Sequence, residues 1–178
     1  QLVLGVICLF MYVGVEVMAG DVIGQYGKAL GMSVDDTKYF TTFTLIAMLV
    51  GYIIGIATIP KFLSGKKGLQ ISAILGILFT VAAYFNTGFS AVTFIALLVL
   101  ANVVMWPAIF PLAIDGLGKF TQTGSGLLIM GVAGGALVPL LYGWLKERPA
   151  VGNNLAFFYC MLLCYAYVLY YSIRGYKM

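Results

Sequence analysis

The chain has 178 residues, of which 62% are hydrophobic and 9% charged, and its mean hydropathy is +1.04. So few charges cannot cover the surface of a soluble domain, which places the chain among polytopic membrane proteins. The net charge of +4 is spread over several loops and offers no basic patch to nucleic acid, and the absence of histidine removes the commonest general base and metal ligand.

Six apolar runs reach or approach the roughly 20 residues that a bilayer-spanning helix needs. They cover about residues 2–23, 39–59, 68–85, 89–114, 122–145 and 154–173. Runs this long and continuous are not barrel strands. The predicted fold is therefore an all-α membrane protein of six transmembrane helices, organised as one unit over residues 1–178. The sequence opens at Gln1 inside or beside a hydrophobic segment, with no basic leader and no cleavage site, so it is expected to begin part-way through a longer protein.

The first run carries the sharpest signal. Glu16 interrupts it, four residues after Tyr12 and four before Gly20, so the three share one helical face. A carboxylate near the middle of a span costs about 2.5–3.5 kcal/mol on insertion scales and by default marks a site. Glu16 is read either as an acceptor for a sugar's hydroxyls or as a proton carrier, with a paired, purely structural glutamate as the bland alternative. The connection from Asp21 to Lys38 is long and polar. Its Asp21, Asp35 and Asp36 are expected to be solvated, and Gln25 could line a vestibule.

The second run has Gly51 and Gly55 in a GxxxG pattern, which lets helix backbones approach. The next loop, PKFLSGKKGLQ, holds Lys61, Lys66 and Lys67. Six basic residues (Lys61, Lys66, Lys67, Lys119, Arg174 and Lys177) fall on one side of the membrane, against four (Lys28, Lys38, Lys146 and Arg148) on the other. By the positive-inside rule both chain ends are expected in the cytoplasm.

In the fourth run Pro107 and Pro111 each remove a backbone donor and free the carbonyl four residues earlier, at Val103 and Pro107. Such carbonyls are tolerated where neighbouring helices or a wet cavity satisfy them. Asn102 and Trp106 sit four apart beside this break and are candidate binding residues, with a packed proline kink as the plain alternative. Asp115 is expected to pair with Lys119 or to cap the helix. The GLGKFT stretch lacks the glycine and hydroxyl positions of a phosphate loop.

The fifth run presents a smooth face of Gly131, Gly134 and Gly135, then Pro139. In the sixth, Cys160 and Cys164, like Cys8, are read as small apolar filler rather than as a disulfide or metal pair. Tyr165, Tyr167, Tyr170 and Tyr171 fit an interfacial aromatic belt.

These residues together resemble a family. Phe10 to Met32 is similar to the start of the C-terminal half of the fucose/galactose/glucose:proton symporters of the major facilitator superfamily. Met105 to Gly143 is similar to that half further on, through Trp106 to Phe110, Leu117-Gly118, Gly124-Ser125 and Gly134-Gly135. The resemblance implies helices seven to twelve of a two-half transporter built from 3+3 inverted repeats, with an N-terminal six-helix half as partner. It implies a sugar as substrate, a proton as coupling ion, no cofactor, no catalysis, and a bacterial inner-membrane location. Trp106 then holds the aromatic position that faces the sugar cavity, and Glu16 a position where members carry Glu or Gln. Gly20 stands where fucose members carry an aromatic, which points toward glucose or galactose. Pro107, Pro111, Gly134 and Gly135 are assigned to gating geometry. The second loop resembles a reduced basic-loop signature without its acidic residue, and the proton-coupling carboxylates belong to the half not in this chain. The rival expectation is a self-contained six-helix protein acting as a homo-oligomeric channel or membrane scaffold.

Overall fold

A computed structural model describes residues 1–58 and 64–177; Ile59, Pro60 and Lys61, at the end of the second predicted run and in the basic loop, lie outside them. The described residues are helical, with no strand among them. The long elements are α1 (Leu2–Gly20), α4 (Phe40–Thr58), α5 (Gly65–Phe85), α6 (Gly88–Asn102), α7 (Met105–Ile114), α8 (Thr121–Met130), α9 (Gly134–Lys146) and α10 (Gly152–Ile173). Two short helices, α2 (Ile23–Ala29) and α3 (Val34–Thr37), lie between α1 and α4.

Helix α1 is the hub. It packs against α6, α7, α8, α9 and α10, and it buries Leu9, Tyr12, Val13, Met18 and Ala19 among them. Around it, α5 lies against α6, α7 and α10, and α4 against α6. The outward faces stay apolar: Phe43, Leu49, Ile53, Leu78, Leu140 and Leu163 are all exposed. A helix apolar on every side belongs in lipid.

Among the described residues five stretches are long and apolar enough to cross a membrane: Leu2–Gly20, Gly65–Phe85, Gly88–Ile114, Gly118–Lys146 and Gly152–Ile173. The second predicted run is the 19-residue α4, whose described apolar part is Phe40–Ile53. The first run stops at Gly20 rather than Ile23, and the polar connection after it is not plain loop. It contains α2, whose Ile23 and Tyr26 are buried, with the Tyr26 ring 4.8 Å from that of Phe157 on α10. The third run starts earlier than its apolar residues suggest, because Ser64 caps it by accepting from the Lys67 backbone N–H at 3.4 Å.

Two spans are discontinuous. The fourth breaks at Val103–Val104, between α6 and α7. Pro107 therefore does not kink a continuous helix. It sits in the first turn of α7, where a backbone N–H would have no intrahelical partner. Pro111 lies inside α7. Gly51 of α4 closes on this break, where an added Cβ would lie 2.7 Å from Val103 Cγ2.

The fifth span breaks at a 3₁₀ turn, Gly131–Ala133, between α8 and α9. This turn runs along the backbone of α1. A Cβ on Gly131 would lie 2.9 Å from the Val6 carbonyl oxygen, and one on Gly134 would collide with the Phe10 carbonyl. One residue on, a Cβ at Gly135 would meet Val17 at 3.0 Å and Val13 at 3.1 Å. Pro139 is inside α9.

Candidate functional site

Helix α1 carries Tyr12 and Glu16 one turn apart. The Tyr12 hydroxyl donates to Glu16 Oε1 at 2.7 Å. From α4, the Tyr52 hydroxyl donates to the same oxygen at 3.3 Å. Glu16 is half-buried, and both of these bonds fall on one of its two carboxylate oxygens. One turn further, the Gly20 face is open, since an added Cβ would meet nothing within 4 Å.

The break before α7 brings Trp106 to this group. Its ring stands edge-on to Tyr12, with centroids 6.2 Å apart at 61°. It stacks on Phe110 at 6.4 Å and 22°. The result is a carboxylate held by two phenols beside a wall of aromatic faces. A carboxylate accepts from hydroxyls, and aromatic faces pack on apolar C–H surfaces. A sugar presents both.

Asn102 bonds to a different helix. It is the last residue of α6 and is 0% exposed. Its Oδ1 accepts from the Tyr165 hydroxyl of α10 at 2.7 Å, and its Nδ2 has no partner among the described residues. Space for the Tyr165 ring comes from Gly76 of α5, where any Cβ would overlap that ring. Glu16 and Trp106 thus come together around Tyr12, whereas Asn102 makes none of those contacts and ties the α6–α7 break to α10.

Tyr12 had a visible signal, the four-residue spacing to Glu16. Tyr52 had a weaker one, a phenol within an otherwise apolar run. Tyr165 and Tyr171 do not belong to the predicted aromatic belt, because both are fully buried. Tyr170, at 42% exposure, fits it. Asp115 is exposed and follows α7 directly as its C-terminal cap position. Among the described residues the ion pair found is Lys38 to Asp35 at 2.8 Å, not Asp115 to Lys119. The cysteines are free and buried, and Cys160 and Cys164 line an apolar cavity of about 180 Å³ with Phe10, Met11 and Val138. That lining has nothing to bind a polar solute.

No family model matches the chain. It is 35% identical to a glucose/galactose transporter of Brucella abortus, over 99% of this chain and 43% of that protein. It is 28% identical to an L-fucose-proton symporter of Haemophilus influenzae, over 97% of this chain and 41% of that protein. The crystal structure of the major facilitator superfamily transporter FucP in the outward conformation superposes with a TM-score of 0.88, at 22% identity, over 99% of this chain and 42% of that one. The chain spans less than half the length of the relatives it matches.

Helices gathered on α1, with two broken spans, thus have the fold of one half of a major facilitator superfamily transporter. Within that class the chain is a homologue of the glucose/galactose transporters and L-fucose-proton symporters, which are membrane transporters rather than enzymes.

Proposed function

We propose that this chain, joined to an N-terminal six-helix half, carries a hexose of the glucose/galactose type across the bacterial inner membrane by proton symport with alternating access. The observation that carries this reading is the Glu16 carboxylate, held by Tyr12 and Tyr52 from two helices, beside the Trp106 ring. Glu16 accepts from the sugar's hydroxyls and Trp106 packs on its ring face. Asn102 enters by holding the helix break that aims Trp106. Pro107, Pro111, Gly134 and Gly135 set the breaks and close contacts about which the halves rock. Both chain ends lie in the cytoplasm, and the coupling proton is carried by carboxylates of the other half.

Sugar-driven proton uptake by the full-length protein in everted-free, right-side-out vesicles tests the reading. Glucose or galactose is expected to alkalinise the medium and to outcompete fucose. Preference for fucose, or hexose accumulation that survives collapse of the proton gradient, contradicts it.

A further inference from the structure

The fold brings together basic residues that the sequence had placed on one side of the membrane but in two separate segments. Lys66 and Lys67 lie in the first turn of α5, and Arg174 and Lys177 follow the end of α10. Helices α5 and α10 pack along each other, so these basic side chains share one membrane face. The end of α10, just before the tail turn Gly175–Lys177, is tied to α5: Gln70 donates to the Ser172 carbonyl at 3.1 Å. The Tyr176 ring lies near two ammonium groups, Lys66 Nζ at 5.0 Å and Lys177 Nζ at 5.8 Å from its centroid.

Among the described residues no salt bridge is formed by this cluster. The first turn of α5 holds no acidic residue, although the positive end of a helix disfavours cations and favours acids. The pair that does form there, Lys38 with Asp35, involves none of the four basic side chains. The half-buried Tyr176 reports the same field: hydrogen bonding to Lys66, reinforced by the charges of Lys177 and Lys66, lowers its pKa below the usual tyrosine value. Since α5 and α10 are both spans, their ends sit at the level of lipid headgroups, where juxtamembrane basic clusters attract anionic lipid.

We propose that Lys66, Lys67, Arg174 and Lys177 form a seat for the phosphate of an anionic phospholipid at the α5–α10 end of this half, with Tyr176 at the headgroup level. The ligand chemistry is a phosphodiester, and its source is the bilayer rather than solution. The seat is independent of the sugar site.

Native mass spectrometry of the full-length, delipidated transporter, titrated with phosphatidylglycerol or phosphatidylcholine in mixed micelles, tests this. The wild type is expected to retain phosphatidylglycerol over phosphatidylcholine. The Lys66→Gln/Lys67→Gln/Lys177→Gln variant is expected to lose about fivefold of that retention, while Lys28→Gln/Lys146→Gln keeps it. The single Lys66→Gln change should show a partial loss and guards against misfolding of the triple variant. Equal retention by wild type and the triple variant overturns the proposal. So does equal loss in the Lys28/Lys146 variant, which would mean unspecific charge. Displacement of the lipid by millimolar inorganic phosphate also overturns it, since the seat would then be for a soluble anion.

Discussion

At the scale of single residues, the hydrogen bonds on Glu16 set the expectations. Bonds to a charged acceptor contribute about 1.5–3 kcal/mol against about 0.5–1.5 for neutral ones. Glu16→Gln keeps an acceptor but loses that difference, so sugar affinity should fall about tenfold. Tyr52→Phe removes only the longer bond, 3.3 Å, and should cost about threefold or less by the same scale. Uptake KM for the two variants checks the order, and a larger loss for Tyr52→Phe would reverse it. Tyr165→Phe tests a different role. It strips the 2.7 Å bond from a buried Asn102 whose Nδ2 is already unpartnered. Hydrogen bonds between membrane helices average about 0.6 kcal/mol and reach about 1.7, so a loss of about 1 kcal/mol in unfolding by denaturing detergent is expected. Adding Asn102→Leu should recover part of it, because removing both partners is less harmful than orphaning one.

At the scale of helices, the two broken spans differ in cause and in how readable they were. Pro107 announced the α6–α7 break, although it stands just after the break rather than within a kink. No proline announces the turn at Gly131–Ala133, and its cause is the α1 backbone lying against Gly131 and Gly134. The glycines were visible in the sequence, but what they approach is more than 100 residues away. Gly134→Ala drives a methyl into the Phe10 carbonyl and should cost about 1–3 kcal/mol as overpacking. Gly126→Ala, in α8 with nothing within 4 Å of the added Cβ, should be neutral or stabilising by up to about 1 kcal/mol from helix propensity. Thermal unfolding of both variants of the full-length protein compares them, and equal effects would mean that the α1–α9 contact does not constrain the chain. The helix α2 was hidden because its polar residues face outward while Ile23 and Tyr26 face in, a seven-residue pattern too short to separate from loop.

At the scale of the molecule, apolar length and loop chemistry disclosed the helices. Their burial against α1 was not legible, since a lipid-facing leucine and a buried one read alike. The pairing of Tyr52 with Glu16 joins residues 36 apart, and that of Tyr165 with Asn102 residues 63 apart. No local spacing reports such contacts, which is why Asn102 was grouped with Trp106 and Tyr165 with the interfacial belt. Loop charges on one side of the membrane were countable, but bringing those of the second loop and the tail to one end of a helix pair needed the packing of α5 on α10. The account's central claim is that this half supplies a sugar contact from Glu16 and Trp106. Equilibrium binding of radiolabelled glucose or galactose to the full-length transporter tests it, with Trp106→Ala, Glu16→Gln and the outward-facing control Trp144→Ala, whose native side chain is 55% exposed. Weakening of about tenfold for the first two and less than about twofold for the control is predicted, equivalent to about 1.4 kcal/mol per site residue. Wild-type affinity in both Trp106→Ala and Glu16→Gln would contradict it.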